Sequence, residues 1–243
     1  MATQTYETTN PSSWKLGNIS TTPKGLKKVE IFNEFGQKPV FQLWRPTDPY
    51  LRVPYGISEP FNSGGDAPGA FGGSSGAPQG QAVSVKTMPI ELKHPAHLSF
   101  TQSIDNALLS LIHSNQVRLL ELQPDDEPLP ISIIRRQFCG LTKFAKRPDL
   151  YPPTARVKVN VGSSELATQF SRREGQRTVP IGSDAIVRNC TVIPIIEVSG
   201  LWLSSTGGYG ITAQALQVLV MTSGTTNLPS FTGLDFIDDN DCA

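Results

Sequence analysis

The chain has few cysteines, few charged residues and no long apolar run. Its three cysteines, Cys139, Cys190 and Cys242, fit no CxxC or other metal-binding spacing, so the sequence does not favour a disulfide framework. The N-terminal residues lack the apolar segment of a signal peptide, and no run of 18 apolar residues occurs. We therefore expect a soluble, non-secreted, intracellular protein with no membrane partner.

Catalytic and metal-binding motifs are also missing. The sequence contains neither a phosphate-binding glycine loop that ends in Lys-Ser/Thr nor a His-Glu-x-x-His motif. His94 and His97 stand three residues apart across a proline, but no cysteine or acidic cluster lies near them in the sequence. We predict that the protein is not an enzyme, needs no cofactor and holds no metal.

Turn-forming residues are abundant, with 21 glycines and 20 prolines among 243 residues, and this composition favours many short strands joined by irregular loops. Residues 155–161 alternate cleanly, with Val157 and Val159 on one side and Arg156 and Lys158 on the other. One amphipathic helix is predicted at about 101–114, with Thr101 as its N-cap. The fold class is therefore mainly β.

The remaining apolar runs predict further strands. Residues 29–32 and 39–44 are interpreted as a hairpin, and residues 117–122 and 131–138 as two more strands. A Gly-Gly turn between residues 185–203 and 209–221 predicts a second hairpin.

We expect one folded domain, flanked by two less ordered ends. Residues 1–26 are polar and are predicted to be a flexible N-terminal arm, and residues 27–222 form the domain. Within it, residues 62–81 are rich in glycine, serine, alanine and proline, which predicts a disordered loop. Residues 223–243 form an acidic C-terminal tail.

The stretch from Arg135 to Arg188 carries eleven basic residues against four acids, although the chain as a whole is neutral. Aromatic residues are interleaved with the cations, and single-strand binding needs both, cations for phosphates and aromatic faces for bases. An ordinary solvated face whose aromatics belong to the core explains the same pattern. The candidate nucleic-acid-binding residues are Arg135, Arg136, Phe138, Lys143, Phe144, Lys146, Arg147, Tyr151, Arg156, Lys158, Arg172, Arg173, Arg188, Trp202 and Tyr209.

The acidic tail is a second candidate ligand for that basic stretch, besides nucleic acid. Four aspartates lie among the last nine residues, beside one aromatic. A tethered acidic segment can compete with nucleic acid for a cationic groove and can also be offered to partner proteins, although a merely solubilising end fits the same residues. The tail residues with this candidate role are Asp235, Phe236, Asp238, Asp239 and Asp241.

Several short motifs of the sequence occur in an order that is also found in one group of known proteins. The most specific are YPPT followed by the alternating strand (151–161) and Gly200-Leu-Trp202 followed by Tyr209-Gly-Ile211. With residues 51–61 and 82–92 they resemble the single-stranded-DNA-binding-like proteins of large algal and amoebal DNA viruses. That group is related in fold to the single-strand-binding proteins of short-tailed phages.

The resemblance implies an elaborated OB-like Greek-key barrel, with a helix between its third and fourth strands. It also implies a non-enzymatic, sequence-tolerant single-stranded-DNA-binding protein that acts in viral DNA replication or recombination, at the viral replication site in the host. Replication proteins would be recruited through the acidic tail. The rival interpretations are a virion structural or scaffold protein and a protein-binding adaptor, and the oligomeric state stays open, a homo-oligomer included.

Overall fold

Strands outnumber helices in the described chain, and they join in one curled sheet. The computed structural model describes residues 4–22, 25–58, 84–123, 125–162, 165, 167–204 and 207–221. The strands in these ranges are Gln4–Thr5 (β1), Lys15–Thr21 (β2), Lys27–Phe32 (β3), Val40–Gln42 (β4), Leu51–Val53 (β5), Ser84–Glu91 (β6), Phe138–Cys139 (β7), Thr142–Lys143 (β8), Thr154–Val161 (β9), Gln169–Glu174 (β10), Arg177–Pro180 (β11), Cys190–Leu203 (β12) and Tyr209–Met221 (β13). The helices are Pro95–Ser114 (α1), Gln116–Leu120 (α2) and Ile131–Gln137 (α3), with short 3-10 helices at Pro11–Ser13 and Ser183–Ala185.

The hairpin of β12 and β13 forms the centre of the sheet. Its antiparallel ladder runs from the pair Thr191–Met221 to the pair Leu203–Tyr209, which confirms the hairpin predicted from the Gly-Gly turn. On one side, β12 pairs with β3, β4 and β5; on the other, β13 runs parallel to β7, β9 and β10. Because both long strands have partners along much of their length, the hairpin fixes the relative positions of the shorter strands.

The strand β9 links this hairpin to the helices. It pairs antiparallel with β6 and β8 and touches β13 at the parallel pair Lys158–Gln214. The three helices lie between β6 and β9 in the chain. The mainly β class predicted from the sequence is confirmed.

One continuous apolar core lies between the sheet and α1. On α1, Ile104, Leu108 and Ile112 are fully buried, as their i, i+4 and i+8 spacing predicts. They belong to the same core as Ile193 and Ile195 of β12. Each such side chain contributes roughly 1.5–3 kcal/mol through burial, so the core holds α1 firmly on the sheet.

The helix α1 begins earlier than predicted. His94 is its N-cap residue and Pro95 its first helical residue, a position that suits proline because the missing N–H would have no helical partner there. Thr101, predicted to be the N-cap, instead lies buried within the helix and donates its hydroxyl proton to the carbonyl of Leu98 at 3.0 Å. The predicted start of this helix was therefore wrong. The prediction of a single helix was also wrong, since α2 and α3 follow α1 in the chain.

Two segments predicted as strands are helical. Residues 117–122 fall largely in α2, which ends at Glu121 in the left-handed conformation (φ 55°). Residues 131–138 form α3 and only then enter β7, and Ile134 alone in α3 is buried. Apolar runs this short fit both the helical period of 3.6 residues and the strand period of 2. The contacts of α3 with α1 therefore decide that residues 131–137 are helical.

The prediction for the N-terminus also needs correction. Residues 4–22 were assigned to a flexible arm, yet they contain β1 and β2 and bury Tyr6 and Trp14 at 3% exposure each. The predicted hairpin of residues 29–32 and 39–44 is not formed, because β3 and β4 each pair with β12 instead. The glycine-rich loop at 62–81 and the acidic tail at 223–243 lie outside the described residues. In the described part of the chain, no helix is long and apolar enough to span a membrane.

Candidate nucleic-acid interface

The strand β9 separates an apolar side from a cationic side, as its alternation predicts. Ala155, Val157 and Val159 are fully buried, whereas Arg156 is exposed and Lys158 is half-buried. The valines anchor the strand in the core, so the backbone itself directs the two cations outward. The predicted direction of these side chains is confirmed.

Neighbouring strands extend the cationic side of β9. Residues paired directly across a sheet project to the same side, so Lys158 shares its side with Gln214 of β13. In the same way, Lys143 of β8 shares the side of Thr154 and Arg156 of β9. On β12, Trp202 pairs with Lys28 of β3 on one flank and with Gly210 of β13 on the other. We call this outward side of the sheet the polar face, represented by Lys28, Cys139, Lys143, Arg156, Lys158, Trp202 and Gln214.

Trp202 lies flat on the polar face because its neighbour in β13 is a glycine. A Cβ atom at Gly210 would overlap the indole ring, and Gly208 also approaches the ring, with its Cβ position 3.6 Å from Cζ3. Trp202 remains partly exposed. An indole held flat on a strand is a ready platform for stacking a base.

The cations of the polar face influence one another. Burial, and then the positive charge of Lys28, lower the pKa of Lys158. The ammonium of Lys143 lies 2.8 Å from the Sγ atom of Cys139, which is exposed. Glu30, Glu91 and Glu197 also project to this side, so the face is mixed in charge and carries four cations against three acids. A nearby anion would relieve the repulsion between Lys28 and Lys158.

Residues 144–153, here called the aromatic loop, connect β8 to β9 and carry exposed rings. Phe144 is 60% exposed and Tyr151 is 53% exposed, and Lys146 and Arg147 of the same loop are also exposed. Large rings are usually buried when nothing binds them, so two of them beside two cations form the mixed surface that single strands require.

Asp105 on α1 holds the beginning of this region in place. Its two carboxylate oxygens accept hydrogen bonds from the backbone N–H groups of Leu141, at 2.6 Å, and Thr142, at 3.0 Å. Burial raises the pKa of Asp105, although these hydrogen bonds oppose the shift. Gly140 is required next to it, because a Cβ atom there would lie 2.6 Å from the Asp105 carboxylate. The helix thereby fixes β8 and the start of the aromatic loop.

The other predicted residues of this region differ in exposure. Arg135 and Arg136 are exposed, but they project from α3 and not from a strand. Phe138 packs partly against the core, and Tyr209 is only 4% exposed. The core covers Tyr209, which therefore cannot stack a base, and Phe138 pairs with Tyr209 and projects to the same side of the sheet, away from the polar face.

Three predicted arginines lie at the far end of the sheet. Arg172 is half-buried and pairs with Val220, ten residues along β13 from Gly210, which corresponds to roughly 33 Å of extended strand. Arg188 is exposed in the turn before β12. Arg173 is 2% exposed, and its Nε–H donates to the carbonyl of Gly175 at 2.9 Å. The structure therefore does not bring these residues together with Trp202, and Arg173 serves the β10–β11 turn.

Sequence reasoning missed Lys28, Cys139 and Gln214. Lys28 was assigned to the approach to the first strand, although the alternation of Val29 and Ile31, both buried, already placed it outward. That Lys28 lies next to Trp202 could not be predicted in this way, because the pair depends on the register between β3 and β12. The five tail residues with a candidate role, from Asp235 to Asp241, lie outside the described residues.

Comparisons with known proteins give a distant similarity. No protein-family model matches the chain, and no curated protein matches it at a significant level. Among solved structures, it is similar to the single-stranded DNA-binding protein from bacteriophage Enc34 with a C-terminal truncation, at 12% identity and a TM-score of 0.39, over 87% of this chain and 97% of that one. It is also similar to the single-stranded DNA-binding protein from bacteriophage Enc34 in complex with ssDNA, at 14% identity and a TM-score of 0.37, over 87% and 94%. With TM-scores below 0.5, neither similarity bears on function, which we infer below from the residues of the chain.

Proposed function

We propose that this protein is a non-enzymatic, sequence-tolerant single-stranded-DNA-binding protein. The observation that carries the proposal is the polar face, where cations directed outward by β9 and its neighbours lie beside the half-exposed ring of Trp202. The aromatic loop continues from this side of the sheet through β8 and adds two exposed rings. Cations follow the phosphates, and each ring stacks one base.

The proposed contacts divide by chemistry. Phe144, Tyr151 and Trp202 stack bases, since they are the candidate rings that reach the surface. The phosphate-binding residues are Lys28, Arg135, Arg136, Lys143, Lys146, Arg147, Arg156 and Lys158. Stacking favours single strands, because the faces of bases in a duplex are covered by their neighbours. It is also tolerant of sequence, because every base has a π-face.

The setting follows from the sequence resemblance. We place the activity in viral DNA replication or recombination, where the protein coats exposed strands at the viral replication site. The acidic tail would compete with DNA for the cations and could be offered to replication proteins. Deleting residues 233–243 should therefore tighten binding to oligo(dT) in a direct titration, and an unchanged affinity would remove the competitive role of the tail.

Salt dependence tests the proposal directly. If four phosphates are neutralised at a time, the log-log slope of affinity against salt is about −3, and affinity falls roughly 50-fold between 50 and 200 mM salt. A fluorescence-anisotropy titration of labelled oligo(dT) and of a duplex of equal length, at both salt concentrations, measures this. We expect tight, salt-sensitive binding of the single strand and weaker binding of the duplex.

Two double variants locate the site. Lys146→Ala with Arg147→Ala should weaken oligo(dT) binding and reduce the salt slope by up to about 1.4, since each lost phosphate contact contributes about 0.7. Lys38→Ala with Arg177→Ala removes two exposed cations elsewhere and should leave both quantities unchanged. Absence of binding at low salt, or equal effects of the two double variants, would contradict the proposal.

A further inference from the structure

Two histidines and an aspartate meet at the start of α1, away from the polar face. His94 is the N-cap residue of α1, His97 lies in its first turn, and Asp48 belongs to the turn between β4 and β5. One potential metal-ligand atom of each residue lies within 4.8 Å of those of the other two. The sequence showed the His-x-x-His spacing but no acidic cluster near it, and Asp48 comes from 46 residues before His94 in the chain.

The hydrogen bonds of Asp48 determine which histidine nitrogen carries the proton. His97 Nε2 lies 2.9 Å from Asp48 Oδ2, and Arg45 Nε donates to Asp48 Oδ1 at 2.8 Å. A carboxylate acts as the acceptor in both contacts, so Arg45 Nε–H and His97 Nε2–H each donate a hydrogen bond to Asp48. In neutral His97 the lone pair is then on Nδ1.

Both Nδ1 atoms of the histidine pair are buried and have no hydrogen-bonding partner among the residues that the structure describes. His97 is fully buried, and the two rings lie with their centroids 4.9 Å apart. A buried acceptor without a partner costs roughly 1–3 kcal/mol, and a shared ligand would satisfy two at once.

We propose that His94 and His97 bind a zinc-type divalent cation through their Nδ1 atoms, with Asp48 orienting His97 from the opposite side of its ring. A carboxylate that accepts the second N–H of a ligating histidine is the usual support of such a ligand. Imidazole nitrogens suit zinc and similar transition-metal ions, and water would complete the coordination on the half-exposed side of His94.

Binding this ion requires a movement of His94. Ligand atoms of a tetrahedral zinc site stand roughly 3.3 Å apart, so the His94 ring, whose centroid lies 4.9 Å from that of His97, must turn until the two Nδ1 atoms reach that separation. His94 is only half-buried and can rotate, whereas His97 is fixed by Asp48 and by the edge of the Tyr6 ring, whose centroid lies 5.2 Å away. The positive end of α1 opposes a cation, and the Asp48 carboxylate offsets that effect. The ion would hold the first turn of α1 against the turn that contains Asp48.

Metal titration of the full-length protein tests this inference independently of DNA binding. After removal of metal with a chelator, we expect the protein to bind one equivalent of Zn²⁺ and to unfold at a higher temperature when loaded. Co²⁺ should give visible absorption bands of a nitrogen–oxygen site, without the near-ultraviolet band of a thiolate ligand.

Variants decide between this site and any other. His94→Gln, at a half-exposed position, should keep the circular-dichroism spectrum and lose zinc affinity at least tenfold, while the exposed matched control His113→Gln should bind as the wild type does. Cys139→Ser should also retain the site. Failure of the wild type to bind one equivalent, or equal affinity in His94→Gln, would overturn the proposal.

Discussion

Replacing Asp105 with alanine should destabilise the fold and loosen the aromatic loop. The carboxylate accepts two backbone hydrogen bonds, from Leu141 at 2.6 Å and from Thr142 at 3.0 Å, and alanine leaves both N–H groups without that acceptor. Each buried N–H without a partner costs roughly 1–3 kcal/mol. Relief from burying a carboxylate, whose pKa burial raises, returns part of this cost. We expect a net loss of about 2–4 kcal/mol.

Urea unfolding followed by tryptophan fluorescence measures this loss. The control is Asn106→Ala, at an exposed position next to Asp105 on α1, which should change stability by less than about 0.5 kcal/mol. Under conditions where both variants are folded, Asp105→Ala should also bind oligo(dT) more weakly, because the aromatic loop is less well positioned. A destabilisation no larger than that of Asn106→Ala would refute the anchoring role of Asp105.

Two further predictions concern the polar face. Trp202→Ala should weaken oligo(dT) binding by about 1–3 kcal/mol, which is the usual contribution of one stacked base. The control Trp14→Phe, in the core, should leave the affinity unchanged in the same anisotropy titration. Equal losses of affinity in the two variants would argue against a stacking role for Trp202. Saturating oligo(dT) should slow the alkylation of Cys139, which is exposed beside Lys143, as followed by peptide mass spectrometry. Cys190 should react slowly with or without DNA because burial raises the pKa of its thiol, and an unprotected Cys139 would show that DNA does not cover this side of the sheet.

The sequence predicts those parts of the fold that depend on local periodicity. The alternation in β9 and the long runs of β12 and β13 hold enough residues to define a period and a turn, so their strands and the direction of Arg156 follow. The apolar stripe of α1 also contains enough residues, over three turns, to define the helical period. By contrast, α3 is seven residues long, and its contacts with α1 decide its conformation.

The site is less predictable than the fold because it depends on which strands become neighbours. Nothing local distinguishes Tyr209, which is buried, from Tyr151, which is exposed, although both were stacking candidates. The neighbours of Trp202, namely Lys28 and Gly210, and the meeting of Asp48 with His97 depend on sheet register and on a distant turn. These contacts are tertiary, so composition and spacing carry no signal for them.

The neutral charge of the chain does not argue against a nucleic-acid partner, because several of its acids are already paired with nearby cations. Lys27, whose side chain points opposite to that of Lys28, pairs with Glu121 at 2.7 Å. Glu91, which shares the side of Thr154 and Lys143, pairs with Arg52 at 3.1 Å and with Lys93 at 3.2 Å. These acids are therefore neutralised locally, and a phosphate within about 10 Å of β9 at 0.1 M salt experiences the nearby cations and not the sum over the molecule. Association with a single strand should accordingly be governed by this one side of the sheet.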